Sequence, residues 1–167
     1  TKSENRIQPL CGICTSCGGC QFQQLSYVAQ LEYKTNKVKD AFRRHFNKDF
    51  DVLACLGMDN PYHYRNKIQV PLGKDIHGNI TSGFYRANTH KIIATDVCYI
   101  DDERSRPIIK DIKSLMRSFK IEPYDEDKHT GCIRHILIRT SKHKNQIMLT
   151  LVTFLDEFKG KNNFVKV

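Results

Sequence analysis

Four cysteines near the start of the chain follow one another at intervals of three residues, at Cys11, Cys14, Cys17 and Cys20. Thiolates bind soft metals and iron–sulfur clusters, and short spacings let several thiolates converge on one centre. Three of the residues between them are glycines, which allow the tight turns that a loop around a metal centre needs. The spacing therefore predicts a metal-binding loop rather than four unrelated core cysteines.

Two kinds of centre are compatible with such a loop. Structural zinc sites usually pair one Cys-x₂₋₄-Cys element with a second, distant pair of Cys or His residues, and no second pair with that spacing occurs here. Three close cysteines with one remote cysteine are typical of ferredoxin-type clusters. The spacing favours iron–sulfur over zinc and leaves the fourth ligand open among Cys55, Cys98 and Cys132.

Disulfides are a weaker interpretation of the same cysteines. The chain has seven cysteines, an odd number, and no segment typical of a secretory signal. Cytosolic thiols stay reduced, whereas disulfide scaffolds are typical of secreted domains. We therefore expect a cytoplasmic protein. No apolar run approaches the ~20 residues of a membrane span, so we expect no membrane partner.

The charge balance is strongly basic. Lys and Arg number 27 against 18 Asp and Glu, which gives a formal net charge of +9. A positive field of this size attracts polyanions and speeds their association. The charge makes nucleic acid the first partner to consider and an acidic membrane surface the second.

Two segments have the apolar periodicity of helices that could position these groups. The first covers residues 26–46, with an apolar stripe at Val28, Leu31, Thr35, Val38, Phe42 and Phe46. The second follows the acidic residues 101–103, with a stripe at Ile108, Ile109, Ile112, Leu115, Met116 and Phe119. Each stripe is expected to face a core.

Strands are indicated by period-two alternation and by turn residues between the alternating segments. They are expected within residues 63–72, 80–86, 91–97, 133–141 and 146–155. The predicted fold class is α+β, with a mainly antiparallel sheet of about five strands, two helices and an N-terminal Cys-rich cluster-binding loop.

Several segments resemble motifs of one enzyme family. Cys11-Gly-Ile-Cys-Thr-Ser-Cys17-Gly-Gly-Cys20 resembles the cluster motif C-x₅-C-G-G-C of the RNA uracil-5-methyltransferases. Three further segments resemble other sequence motifs of this family and follow one another in the same order as in the family. They are Tyr64-Arg65-Asn66-Lys67, Gly83-Phe84-Tyr85-Arg86 and Ala94-Thr-Asp-Val-Cys98-Tyr-Ile. The resemblance covers nearly the whole chain. Within the family, the chain most resembles the enzymes that contain an iron–sulfur cluster and methylate 23S rRNA.

This resemblance implies a specific ligand set. It places a [4Fe–4S] cluster on Cys11, Cys17, Cys20 and Cys98, the last of these lying roughly eighty residues after the loop. Cys14 departs from the motif as an extra thiol. The resemblance also implies that S-adenosylmethionine and the catalytic residues belong to the parent protein only, so this chain is expected to hold neither.

The resemblance further implies an RNA partner, with rRNA favoured over tRNA, because this domain would supply part of the RNA-binding surface. The candidates are Arg65 and Lys67 with His63 on one face of a strand, and Tyr85 and Arg86 on its neighbour. Arginine, lysine and aromatic side chains bind phosphates and unstacked bases in looped RNA. We expect the protein to act as a monomer.

The expected domain organisation has three parts. Residues 1–10 are interpreted as a linker from a missing N-terminal domain, 11–158 as the central iron–sulfur and RNA-binding domain, and 159–167 as a linker or the start of a missing methyltransferase domain. Two alternatives of other classes stay open: a ferredoxin-like electron carrier and a zinc-ribbon nucleic-acid-binding module.

Overall fold

The computed structural model describes residues 3–158 and 160–166. The helices are α1 (Tyr27–Phe46), α2 (Ser105–Ser118) and α3 (Lys161–Lys166). The strands are β1 (Lys67–Lys74), β2 (Ile80–Tyr85), β3 (Ile92–Ala94), β4 (Ile133–Ser141) and β5 (Gln146–Thr153), in one antiparallel sheet ordered β3-β2-β1-β4-β5. The predicted α+β class, with about five antiparallel strands, is confirmed; α3 is a short addition to the two expected helices.

The alternation of side chains gives the sheet two different faces. Ile68 and Val70 of β1 are buried and pair with the fully buried Ile138 and Ile136 of β4. Lys67 and Gln69, which alternate with them along β1, point to the opposite side and are exposed. We call the buried side the core face and the other the open face.

Helix α2 covers the core face. Ile109, Ile112 and Met116 are buried in the same hydrophobic cluster as the β1 and β4 side chains. The other members of the predicted stripe, Ile108, Leu115 and Phe119, are partly buried against this cluster. The core position predicted for the second helix is therefore confirmed.

Helix α1 does not occupy the position that its stripe predicted. Its only buried residue is Ala29, and Val38, Phe42 and Phe46 are 45%, 36% and 59% exposed. The expectation that the whole stripe faces this core was wrong. The physical reason is that α2 and Phe164 of α3 already fill the core face. The second half of α1 instead packs against the segment that directly follows it, through Asp49 and Phe50.

The two ends of the domain also contact its body. Near the start, the Ile7 amide donates to the Gln24 carbonyl at 3.0 Å. Near the end, Phe164 packs edge-on against Phe119 and Phe158. Four residues within the predicted terminal segments, Thr1, Lys2, Lys159 and Val167, lie outside the described residues. The three-part division of the chain stays a prediction.

No helix within the described residues combines the length and the apolar character needed to span a membrane.

A cysteine-lined cavity and a basic sheet face

The Cys-rich loop and the region after β3 line one small cavity with a volume of about 20 Å³. Five cysteines contribute to its wall: Cys11, Cys14, Cys17, Cys20 and Cys98. The predicted ligands thus meet at one place although they come from two distant parts of the chain. The other wall residues are mainly apolar, and they include Phe84 and Ile100 together with the charged Arg65.

Backbone contacts hold the Cys-rich loop against the β2–β3 hairpin. The Gly18 amide donates to the Tyr85 carbonyl at 3.0 Å, and Cys17 forms an antiparallel bridge with Arg86. A Cβ at position 18 would lie 3.1 Å from the Tyr85 carbonyl oxygen, tighter than an ordinary contact. Glycine at this position therefore lets the loop approach the hairpin closely.

The segment that carries Cys98 is held by the chain that precedes β1. The His63 amide donates to the Tyr99 carbonyl at 2.8 Å, and the Arg65 amide donates to the Ile100 carbonyl at 2.9 Å. Immediately beyond, the fully buried Asp101 carboxylate accepts a hydrogen bond from the Arg106 guanidinium of α2. An ion pair in such a position fixes the end of the segment relative to the helix.

The protein surroundings of the cavity disfavour the thiolate form of three of its cysteines. Burial raises the pKa of Cys14, Cys20 and Cys98, because desolvation disfavours the charged form. Nearby positive charges act in the opposite direction, Arg65 on Cys20 and Arg106 on Cys98. A soft metal centre would overcome the effect of burial, since a coordinated thiol is deprotonated by the metal itself.

Donors are also aimed at two of the sulfurs. The Gly19 amide donates to Cys17 Sγ and the Gln23 Nε2 donates to Cys20 Sγ, each at 3.4 Å. Arg65 Nη2 donates to the Gly19 carbonyl at 3.1 Å, so the guanidinium fixes the turn between these two cysteines. Hydrogen bonds to ligand sulfurs are one way in which proteins tune iron–sulfur centres.

The three remote cysteines have different surroundings. Cys98 lines the cavity, Cys132 is buried in the hydrophobic core, and the Cys55 amide donates to Thr35 Oγ1 of α1 at 2.9 Å. Among the described residues, no three His, Cys, Asp or Glu side chains converge closely enough to hold a single metal ion. Of the three remote cysteines considered as the fourth ligand, Cys98 is thus the one that lines the cavity.

The five predicted RNA-binding residues do not form one surface. Arg65 lines the cysteine cavity, and His63 Nδ1 lies 2.7 Å from the Asp101 carbonyl oxygen. Arg86 is exposed beside the Cys-rich loop. Only Lys67 and Tyr85 occupy open-face positions, as their register in β1 and β2 shows.

The open face carries a basic pair, of which Lys67 is one of the predicted RNA-binding residues and Arg139 is not. Lys67 lies directly opposite Arg139 of β4 in the strand register, and both are exposed. Next to them, the Lys142 ammonium donates to the His63 carbonyl at 2.8 Å. Like charges on directly opposite strand positions repel. The arrangement therefore favours an anion above the sheet. Period-two alternation in β4 could have identified Arg139, but not its pairing with Lys67.

A second cleft lies at the other end of the open face. Arg134 is stacked over the Tyr124 ring with 4.6 Å between the guanidinium carbon and the ring centroid, and Tyr85 packs against His90. Glu126 links the two pairs, because its carboxylate contacts both His90 and Arg134. Several acidic residues line this cleft, so it is less suited to a polyanion than the Lys67–Arg139 region.

Similar proteins were found over nearly the whole chain. A Clostridium tetani protein named an uncharacterized RNA methyltransferase is 48% identical over 153 residues, which are 92% of this chain. A Listeria monocytogenes protein of the same description is 39% identical over 166 residues, or 99% of this chain. No protein-family model matches the chain.

A solved structure has the same fold. The Pyrococcus abyssi tRNA (uracil-54, C5)-methyltransferase in complex with S-adenosyl-L-homocysteine matches 97% of this chain with a TM-score of 0.68 and 25% identity. The chain spans about a third of each of these proteins: 33% of the Clostridium protein, 36% of the Listeria protein and 35% of the solved structure.

Proposed function

The chain belongs to a family of RNA methyltransferases, and within that family we propose that it is the cluster-bearing, RNA-binding domain of a uridine C5-methyltransferase. The proposed parent enzyme uses S-adenosylmethionine, and its proposed substrate is 23S rRNA. The observation that carries the cluster assignment is the meeting of Cys11, Cys17, Cys20 and Cys98 on one cavity wall. Four thiolates form the usual ligand set of a [4Fe–4S] cluster.

The donor arrangement supports a cluster more than a single ion. In a [4Fe–4S] cluster each thiolate binds a different iron, so the four sulfurs need not converge on one point. The apolar wall, the Gln23 donor to Cys20 and the Arg65 charge near Cys20 are compatible with an anionic cluster. Cys14 is buried in the same wall, and we propose no ligand role for it.

The bound cluster would supply a covalent link between the N-terminal loop and the segment after β3. Methyl transfer to a base needs no electron transfer, so the proposed role is structural. Such a link closes a loop of roughly eighty residues between Cys20 and Cys98, and closing a long loop restricts the unfolded chain. The residues around the ends of this loop, Arg65 and the Asp101–Arg106 pair, then act as positioning residues.

RNA binding is proposed for the open face and its rim. The chain has a net charge of +9, and Lys67 and Arg139 adjoin each other on the uncovered side of the sheet. Phosphate contacts from such residues supply most of the sequence-independent affinity for RNA. Tyr85 and Arg86 at the end of β2 would lie at the edge of this surface, where an unstacked base could pack.

The methyl-transfer chemistry is proposed to belong to the remaining part of the parent protein. In the proposed reaction a thiolate adds to C6 of uracil and C5 then takes the methyl group from S-adenosylmethionine, which leaves as S-adenosylhomocysteine. A base removes the C5 proton while the C6–S bond breaks and the thiolate leaves. None of the seven cysteines of this chain is assigned as that nucleophile. The chain's proposed contribution is to bind and orient the RNA so that a target base can be unstacked.

Anaerobic purification tests the cluster assignment. We expect a brown protein that absorbs near 400 nm and contains about four iron and four sulfide per chain. Cys98→Ser should lose most of the iron, whereas Cys55→Ser, the matched control outside the cavity, should keep it. A colourless protein that binds zinc and no iron under these conditions would overturn the proposal.

Binding to RNA fragments tests the open face. We expect the Lys67→Ala/Arg139→Ala double variant to bind a 23S rRNA fragment about tenfold more weakly, with a smaller dependence on salt, because two phosphate contacts are lost. Lys110→Ala/Arg117→Ala, a change of two exposed residues of α2, is the control that removes the same total charge. Equal weakening by the control would show that only net charge matters.

Methyl transfer by the full-length protein tests the substrate. Unmodified 23S rRNA and unmodified tRNA are offered with labelled S-adenosylmethionine, and the position of the label is determined. We expect 5-methyluridine in 23S rRNA. Methylation of tRNA alone would agree with the proposed reaction type, but it would show that the rRNA assignment is wrong.

A further inference from the structure

The second half of α1 exposes an apolar patch that nothing in the described chain covers. We define the distal patch as Val38, Ala41, Phe42, Phe46 and Phe50. The three phenylalanine rings pack on one another with centroids 4.9 to 5.9 Å apart, and each is more than a third exposed. Contiguous exposed apolar surface of this kind usually marks a contact with another protein surface.

The chain that follows α1 returns along the helix. The Cys55 amide donates to Thr35 Oγ1 at 2.9 Å, and the Met58 amide donates to Tyr27 Oη at 2.7 Å. Eight residues of helix rise about 12 Å, and three residues of chain cover about 10 Å only when they are nearly fully extended. Residues 55–58 therefore run in an extended conformation antiparallel to α1.

This extended chain has no sheet partner in the structure. Within the described residues, residues 51–57 make no backbone–backbone hydrogen bond and belong to no strand. Leu53 and Leu56 are 83% and 96% exposed. Apart from the Cys55 amide and the Leu56 carbonyl, the backbone groups of residues 51–57 have no hydrogen-bond partner within the described residues. An extended segment of this kind with exposed leucines has the properties of a strand that pairs with another sheet.

We propose that α1 and residues 51–57 form a helix–strand unit that packs on the methyltransferase portion of the same full-length polypeptide. In this unit the distal patch would pack against that portion, and residues 51–57 would pair with a strand of its sheet. The inference rests on the proposed function in one respect, namely that the chain works within a longer methyltransferase.

The length of the relatives supports the methyltransferase portion as the partner of the distal patch. The chain spans 33% to 36% of the Clostridium and Listeria proteins, so two thirds of each relative could supply the missing contact within one polypeptide. A second copy of this chain is a poorer partner. Lys34 and Lys37 border the distal patch, and a symmetric contact would bring these cations of the two copies together. The same cations predict an acidic rim on the methyltransferase portion.

Hydrogen–deuterium exchange provides the test, with the 167-residue chain and the full-length protein that carries it compared without RNA, cofactor or added iron. We expect the amides of residues 51–57 to exchange at least ~100-fold more slowly in the full-length protein, because pairing protects them. Equal exchange in both proteins would overturn the proposal. Protection that rises with the concentration of the short chain, or that requires RNA, would also overturn it by identifying another occupant.

A pair of variants tests the patch itself. Phe42→Ser/Phe46→Ser in the full-length protein should raise exchange at residues 51–57 at least ~10-fold and leave the β4 amides unchanged. Ile76→Ser, a matched apolar change at a 95% exposed turn position, should change neither. If the double variant changes nothing, the patch is not a docking surface. Because no step of the experiment requires methylation, failure of the proposed function would be observed separately.

Discussion

The two long helices of this domain have similar apolar stripes and opposite surroundings. The stripe of α2 is buried against β1 and β4, and Met116 within it is fully inaccessible. The second half of the α1 stripe lies in solvent, where Phe42 and Phe46 contact mainly each other and Phe50. An amphipathic pattern thus shows that a helix has an apolar face, but it does not show which surface covers that face.

The helices also differ in how they begin. The start of α2 is tied to the segment that carries Cys98 through the buried Asp101–Arg106 ion pair. The start of α1 is fixed by a local cap, in which Ser26 Oγ accepts from the Ala29 amide at 3.4 Å. If this contrast is correct, perturbing α2 should affect the whole domain, and perturbing α1 should have local effects.

The largest effect is expected for Asp101→Asn. Removing one charge of a buried pair leaves Arg106 uncompensated, which typically costs about 3–5 kcal/mol. We expect the free energy of unfolding of the 167-residue chain, measured with urea, to fall by this amount, and iron retention to fall with it. A loss below about 1 kcal/mol would mean that the pair does not anchor α2.

Truncation of the two stripes compares the helices directly. Met116→Ala should cost about 2–5 kcal/mol, because it leaves a cavity in the core. Phe42→Ala removes a larger side chain but should cost less than about 1 kcal/mol in the same chain, since partly exposed positions contribute little. Equal losses in urea unfolding would contradict the difference in burial. In the full-length protein we expect Phe42→Ala to lower the free energy of unfolding by a larger amount, because the distal patch is proposed to be covered there.

Acid should weaken the start of α2. Hydrogen bonds from Arg104 hold the pKa of the buried Asp102 carboxyl well below its usual range. A carboxyl whose pKa is lowered by folding stabilises the protein above its unfolded pKa of about 3.9, and this stabilisation is lost as the pH falls towards the folded value.

The melting temperature at two pH values measures this contribution. Between pH 6 and pH 3 we expect the melting temperature of the wild-type chain to fall about 4 °C further than that of Asp102→Asn, which corresponds to one or two charged hydrogen bonds. Glu103→Gln, a change of the neighbouring exposed acid, is the control. Parallel curves for the wild type and Asp102→Asn would show that Asp102 contributes nothing.

The smallest effect is expected at the start of α1. Ser26→Ala removes the cap and should cost about 1 kcal/mol of helix stability. Because α1 is attached mainly by its first half, we expect faster hydrogen exchange within α1, by about fivefold, and no change in β4. A uniform increase across the sheet would show that α1 unfolds together with the core.

The sequence allowed most of the sheet and α2 to be predicted, because each of these elements is completed by contacts within the domain. Period-two alternation predicted a strand within residues 63–72, where β1 begins, and the stripe of the second helix identified Met116. The position of α1 could not be predicted in the same way, since its pattern is the same whether the covering surface lies in this chain or outside it.

The site was predictable in part. Spacing identified the Cys-rich loop as a unit, but a resemblance was needed to prefer Cys98 over Cys55 and Cys132. The roles of Asp101 and Arg106 were not predicted, because an ion pair between a loop and a helix leaves no periodic signal. RNA binding by Arg65 stays a prediction, and its position at the cavity was not predicted, since β1 begins only at Lys67.

The bond between the Gly18 amide and the Tyr85 carbonyl bears on how this domain can change over evolutionary time. It fixes the Cys-rich loop to the hairpin through main-chain atoms, and no cysteine side chain takes part in it. Descendants of such a domain could therefore lose their thiols one by one and keep the loop in place. Glycine at position 18 would then be inherited more faithfully than the cysteines on either side of it.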